Sequence, residues 1–160
     1  KQVPARTVRA MPNLPALVRR GVTAICAGAR ATEADLDMAG QLFAAVGVTV
    51  RLPENQMNEV TALSGSGPGY VFAFIEALEE AAVEMGLPPE TARTMAIETV
   101  RGAAELAGQT GEDPAELRRR VSSKGGTTLA GLAAMASGGF AAAVGAGMRA
   151  ARDRAPELAR

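Results

Sequence analysis

Between Pro68 and Pro89 the chain reads PGYVFAFIEALEEAAVEMGLPP, and this stretch decides the fold class. Val71, Phe74, Ile75, Leu78, Ala82 and Met85 recur at helical spacing, while Glu76, Glu79, Glu80 and Glu84 mark the opposite face. Gly86 then offers a helix C-cap, and Leu87-Pro88-Pro89 stops one helix and starts the next. The helical pattern continues from there to the C-terminus. A helix is expected over roughly 89 to 107, rich in Ala, with Gly102 inside it. A mid-helix glycine costs about 1 kcal/mol against alanine, so close approach of a partner helix is the expected reason for it. Asp113-Pro114-Ala115-Glu116 opens another helix, with Asp as N-cap, Pro in the first turn and Glu at N3. Residues 126–137 and 140–154 complete the set, divided by Gly138-Gly139.

Upstream of this array, Glu54 to Leu63 reads as a helix ending at a Ser64-Gly65-Ser66-Gly67 turn. Residues 6–52 read differently, as a short α/β piece. Thr7 to Met11 is a strand stopped by Pro12, and Val22 to Ala27 is a second, followed by Gly28. Thr32 with Asp35 forms a capping pair that opens a helix running to Ala45 or Val46. Gly47 is expected to end that helix in a left-handed conformation, and Val48 to Leu52 is a third strand closed by Pro53. Three strands make an incomplete sheet, so its remainder is expected before Lys1. The organisation is therefore residues 1–53 as a remnant of a dinucleotide-binding α/β domain and 54–160 as a helical domain.

Hydrophobic residues make up 48% of the 160 residues but aromatics only 3%, so any core is built from Ala, Leu, Val and Met. Small side chains let helix backbones approach closely, which favours helix-on-helix packing and a second copy interleaved with the first. Seventeen basic and seventeen acidic side chains cancel. That balance gives no electrostatic footprint for nucleic acid and no pull toward anionic lipid. No apolar run approaches the length needed to cross a bilayer, and Lys1-Gln2-Val3-Pro4 lacks the apolar region of a secretory signal. Cys26 is the single cysteine, which excludes an internal disulfide and fits a reducing compartment, with cytoplasm as the expected location. The chain has no histidine. Ser/His and Cys/His couples are thereby excluded and most transition-metal sites disfavoured, so no metal is expected. Chemistry must come from a cofactor, hydroxyls, carboxylates, lysine or backbone amides.

Three segments could carry it. In Ser122-Ser123-Lys124-Gly125-Gly126-Thr127-Thr128, two glycines can turn N–H groups outward ahead of a helix, and two threonines add hydroxyls. That combination suits a small anion such as a carboxylate, although for the motif taken alone a glycine turn with a Thr N-cap is the favoured reading. The order of a nucleotide P-loop, G-x-x-x-x-G-K-[ST], is absent. Leu63-Ser64-Gly65-Ser66-Gly67-Pro68-Gly69-Tyr70 is either a tight connection in which Ser64 or Ser66 caps the next helix, or a small-residue loop admitting a ligand against backbone. Arg9-Ala10-Met11-Pro12-Asn13 ends a strand, where α/β sheets present ligands, and an ordinary loop explains it equally well. Arg118-Arg119-Arg120 reads as a solvated helix end, and the methionines as core and interface filler.

Taken in order, Arg-Ala-Met-Pro-Asn at 9–13, Leu-Ser-Gly-Ser-Gly-Pro-x-Tyr at 63–70 and Ser-x-Gly-Gly-Thr-Thr at 123–128 resemble the successive motifs of pyrroline-5-carboxylate reductase. Met85-Gly86-Leu87-Pro88, Gly111-Glu112-Asp113-Pro114 and Ser137-Gly138-Gly139-Phe140 agree with it. The resemblance runs over essentially the whole chain. It implies a mainly α fold, a helical dimerisation domain like the C-terminal domain of 6-phosphogluconate dehydrogenase, behind a remnant of a Rossmann-like domain. It implies hydride transfer from NADPH or NADH to the C=N bond of Δ1-pyrroline-5-carboxylate, giving proline. Ser123, Gly125, Gly126, Thr127 and Thr128 would hold the imino-acid carboxylate, with Thr128 the hydroxyl nearest the ring nitrogen. Met11, Pro12 and Asn13 would lie near the nicotinamide, and Ser64, Gly65, Ser66 and Gly67 would help line the pocket. Homodimers through interlocked helices are implied, and sometimes higher assemblies.

The chain departs from the family where Lys124 replaces a usual Pro, Arg119 a common Asp and Leu14 a common Thr. No G-x-G-x-x-G follows a strand anywhere in it, so by itself it is expected to be inactive. The competing expectation is a stand-alone helical dimer that binds a small carboxylate without redox chemistry. A related β-hydroxyacid-type dehydrogenase is a third.

Overall fold

The computed structural model describes residues 5–158. The reading of Lys1 to Pro4 as no secretory signal lies outside the described residues. The fold is mainly α, with a small three-stranded sheet near the N-terminus. The chain divides into two compact units, one formed by the described residues up to Tyr70 together with those from Ala146 onward, the other by Val71–Gly145.

The first unit is built on strands β1 (Val8–Met11), β2 (Gly21–Ala27) and β3 (Gly47–Arg51), in the order β1-β2-β3. β1 runs antiparallel to β2, with Met11 opposite Ala24 and Val8 opposite Ala27. β2 and β3 are parallel, so the chain must cross over between them, and helix α1 (Glu33–Ala44) makes that crossover. Its start is the capping box expected from the sequence. The Asp35 carboxylate accepts from the Thr32 N–H and hydroxyl, both at 2.8 Å, and Thr32 Oγ1 accepts from the Asp35 N–H at 3.4 Å. The core beneath the sheet contains Ala24, Cys26, Met57 and Val60, with Met11 and Leu52 packed against it.

Gly47 has a different role from the one expected. It opens β3 at φ 150°, and a Cβ there would lie 2.0 Å from the carbonyl oxygen of Gly21. Glycine is needed because two backbones meet at the start of the parallel pair, not because a helix needs a left-handed cap. The α1 cap is Ala45, in ordinary right-handed geometry.

The segment after Pro53 also departs from expectation. In place of one helix and a turn, Glu54–Gln56 is a 3-10 turn, Met57–Val60 (α2) is a single α-helical turn, and Thr61–Gly65 is π-helical. Here the Ser66 N–H donates to the Thr61 carbonyl at 2.8 Å, five residues back. The chain then runs into α3 (Gly67–Glu84) without an intervening loop.

In the second unit, α3 continues to Glu84, where Gly86 (φ 99°) turns left-handed and the Leu87 N–H reaches back to the Ala82 carbonyl at 3.0 Å. Helix α4 (Pro89–Thr110) starts on Pro89 and ends at Gly111. Asp113 caps α5 (Pro114–Arg120), its Oδ1 accepting from Ala115 N–H at 2.7 Å. α6 (Thr127–Ser137) and α7 (Phe140–Leu158) follow, the latter longer than the sequence suggested and continuing into the first unit. Arg93 pairs with Glu79 at 3.0 Å, and Phe74 meets Phe140 with ring centroids 6.2 Å apart. Among the described residues, and apart from the backbone of its own helix, no atom lies within 4 Å of a Cβ built at Gly102, so no other described helix of this chain presses on it. Helices α3, α6 and α7 contain no buried residue.

Candidate functional site

The candidate residues fall into two groups, one in each unit. In the first, Met11 ends β1 and Pro12 and Asn13 lead into a 3-10 turn, Leu14–Val18. Asn13 Oδ1 accepts from the Val22 N–H at 2.8 Å, and Asn13 Nδ2 donates to the Ser64 carbonyl at 3.0 Å. Gly65 sits so close to Met11 that an added Cβ would lie 2.9 Å from the methionine methyl. Met11, Asn13, Ser64 and Gly65, drawn from two distant motifs, are thus brought together.

Neither serine caps the following helix through its side chain in the recorded bonds. Ser64 Oγ donates back to the Val60 carbonyl at 3.1 Å, and Ser66 contributes its backbone N–H to the π turn. With Asn13's amide engaged by protein and Pro12 exposed and lacking an N–H, this end of β1 offers a largely apolar wall. Such a wall suits one face of a flat heteroaromatic ring.

In the second group, Gly125 adopts φ 76°, and the Gly126 N–H donates to the Ser123 carbonyl at 2.9 Å. A Cβ at Gly126 would meet Ser123 Oγ at 2.5 Å, so the serine hydroxyl packs directly on the glycine. Gly126 is the N-cap residue of α6, with no side-chain cap, and Thr127 and Thr128 form its first turn. The expected Thr N-cap is therefore replaced by a glycine one. The first N–H groups of a helix have no partner within it, and Ser123, Thr127 and Thr128 are exposed around them. Backbone donors, the helix dipole and two hydroxyls together can receive a carboxylate. The neighbouring arginines are engaged: Arg119 chelates Glu116 at 2.5 and 2.8 Å, and Arg120 holds Glu112 at 2.6 and 2.8 Å.

A larger cleft, about 470 Å³, opens at the carboxyl ends of β2 and β3 and is lined by Cys26, Glu33, Leu36, Arg51 and Glu54, among others. Since β1 is antiparallel to β2, this is the Val8 end of β1, whereas Met11 lies opposite Ala24 in the middle of β2. The Cys26 thiol donates to Glu54 Oε2 at 2.8 Å, and the same carboxylate pairs with Arg9. Burial, then the Glu54 hydrogen bond and charge, push the thiol up to about 11. It stays protonated at neutral pH and is no nucleophile. Glu54 is correspondingly held below the usual carboxylate range, first by the thiol and then by Arg9. Among the described residues no cluster of three or more His, Cys, Asp or Glu side chains could hold a metal ion.

Sequence reading missed the Asn13–Ser64 bond and the Arg9–Glu54–Cys26 chain. Both join residues far apart in sequence, and no local pattern announces either.

Comparison with known proteins gives a consistent result. Residues 54–158 match the family described as pyrroline-5-carboxylate reductase dimerisation. A pyrroline-5-carboxylate reductase of Synechocystis is 47% identical over 151 residues, covering 94% of this chain and 57% of its own length. The protein of that name from Pseudomonas aeruginosa is 44% identical, covering 98% of this chain and 58% of itself. Among solved structures, a pyrroline-5-carboxylate reductase from Coxiella burnetii superposes with a TM-score of 0.92 at 40% identity, over 96% of this chain and 57% of that one. The Plasmodium falciparum pyrroline carboxylate reductase, crystallised with NADP bound, gives 0.86 at 30% identity, over 93% and 60%. The chain therefore spans somewhat more than half the length of these relatives.

Proposed function

Since the chain belongs to the pyrroline-5-carboxylate reductase family, we propose that it supplies the dimerisation and substrate-binding part of an NAD(P)H-dependent reductase. That enzyme converts Δ1-pyrroline-5-carboxylate to proline. The observation that carries this reading is the glycine-lined start of α6, where Ser123, Gly125, Gly126, Thr127 and Thr128 offer backbone donors and hydroxyls but no titrating base.

Backbone donors at the start of α6 hold the substrate carboxylate, and the Thr128 hydroxyl stands nearest the ring nitrogen. The nicotinamide, when bound, supplies the hydride. A protonated imine is already electrophilic, so the remaining task is to position its carbon and exclude water. Hydride adds to the imine carbon, the C=N double bond becomes single, and the electron pair left on nitrogen gives the amine of proline. No histidine is required. Met11 and Pro12 form the apolar wall toward the nicotinamide, and Ser64, Gly65 and Ser66 line the substrate side. The rest of the cofactor is held outside this chain, because nothing in these 160 residues provides a phosphate-binding glycine fingerprint.

We further propose a homodimer through the helical region. α3, α6 and α7 hold no buried residue, while Phe72, Leu129 and Phe140 are each about half exposed. Helices with apolar side chains and no core of their own need a second surface to cover them, and a second copy is the simplest.

The test is Thr128→Ala in the full polypeptide that carries this chain. kcat/KM for pyrroline-5-carboxylate falls at least tenfold, while the Kd for NAD(P)H, from cofactor fluorescence, stays within twofold. Wild-type kinetics would remove Thr128 from the site. Saturable binding of proline without turnover would instead favour a carboxylate-binding module without redox activity.

A further inference from the structure

We propose that Asn13 is a positioning residue: its side-chain amide stands in for the backbone donor that Pro68 lacks and so fixes the Thr61–Gly65 π turn against the end of β1. In an α-helix the Ser64 carbonyl would accept from the N–H of residue 68. Residue 68 is proline and has no N–H. The Ser64 carbonyl is thereby orphaned at the point where the helix has already taken in an extra residue, and Asn13 Nδ2 fills the vacancy at 3.0 Å. The amide orientation is forced, because the other end of the same group meets the Val22 N–H at 2.8 Å and only oxygen can accept there.

One side chain therefore ties together three segments: the loop after β1, the start of β2, and the widened turn that leads into α3. The adjacent Gly65 closes down on Met11 as a result. Widened turns of this kind recur at functional sites because they redirect a few residues without ending a helix. Here they redirect Ser64, Gly65 and Ser66. The inference rests on the proposed reading that these three residues line the substrate side of the pocket, and it gives Asn13 an indirect role in place of direct contact with the nicotinamide.

The experiment is Asn13→Asp in the full polypeptide. The substitution keeps the shape and the acceptor for Val22 but sets an oxygen against the Ser64 carbonyl. KM for pyrroline-5-carboxylate should rise at least tenfold while the Kd for NAD(P)H stays within twofold, and the Ser66 amide should exchange its hydrogen at least tenfold faster. Adding Pro68→Ala returns a backbone donor to Ser64 and should bring both quantities back to within about threefold of the parent. Should the carboxylate prevent folding, Asn13→Ala removes the donor without adding charge; it also gives up the acceptor for Val22, so recovery of Ser66 protection on adding Pro68→Ala is then the deciding readout. Unchanged Ser66 exchange overturns the proposal, as does a tenfold loss of NAD(P)H affinity at unchanged KM, which would make Asn13 a cofactor contact. If the parent polypeptide reduces no pyrroline-5-carboxylate yet the exchange and its rescue by Pro68→Ala hold, the reductase reading falls and the clamp stands.

Discussion

The two compact units, the one that holds the sheet and the Val71–Gly145 helical one, are made from the same residue types and reach opposite ends. In the first, Ile25 is fully buried, Met57 is 1% exposed, and Thr23 and Ala24 are sealed beside them. In the second, Phe72 is 54% exposed and the buried positions of its helices are Ala92 and Ala96 on α4. A strand pair crossed over by a helix closes a core within one chain. A row of alanine-rich helices with widely spread apolar positions does not. One region seals its apolar side chains within a single chain, and the other leaves them uncovered.

The sharpest way to break that contrast is to charge the helical face. Phe72→Asp should convert the full polypeptide from dimer to monomer by light scattering, weakening association at least a hundredfold. Val48→Asp, at an equally exposed position on β3, should leave the mass unchanged. If both variants remain dimeric, the helical face is not what a second copy covers.

Within the region that holds the sheet, Gly47→Ala forces a Cβ onto the Gly21 carbonyl. Its cost should approach that of the most damaging single substitutions, about 4 kcal/mol, read from denaturant unfolding. Ile25→Ala should cost about 3 kcal/mol as a cavity, with a midpoint that does not depend on protein concentration. A midpoint that does would mean the two regions unfold as one. Thr32→Ala, which removes the α1 cap, should cost about 1 kcal/mol.

The smallest effect is in pH. Hydrogen bonds from the Thr32 backbone and hydroxyl hold the Asp35 carboxyl below its usual range. Its contribution is therefore present above the ordinary carboxylate pKa and disappears as pH falls through the lowered one. Asp35→Asn should flatten the acid limb of the helical signal, and an unchanged limb would mean the cap carries no pH-dependent stability.

Much of this was legible in the sequence. Helix starts and stops at Thr32, Gly86, Pro89, Asp113 and Gly138-Gly139 were readable because Gly, Pro and capping side chains act locally, whereas the helix expected to end near 107 runs on to Thr110 and its Gly111 cap. Glu54 to Leu63 was read as one helix ending at a turn over Ser64 to Gly67. The 3-10, α and π windings differ in residues per turn, but each piece here is too short to show a period, and no side chain marks the inserted residue. Gly47 was recognised as special for the wrong reason, since what it avoids is Gly21, 26 residues earlier. At the candidate site, the glycines at 125 and 126 announced a turn, whereas Asn13's engagement with Ser64 depends on folding across 51 positions. Local chemistry was visible, and long-range hydrogen bonding was not.

The protonated, sealed thiol of Cys26 has a practical consequence. Sulfhydryl reagents that leave the fold intact will find nothing to attack in this chain, so one cysteine introduced at an exposed place away from the helical face, such as Val48, becomes its sole point of labelling. With one label per copy, the separation between two spin probes becomes a ruler laid directly across whatever joins the copies.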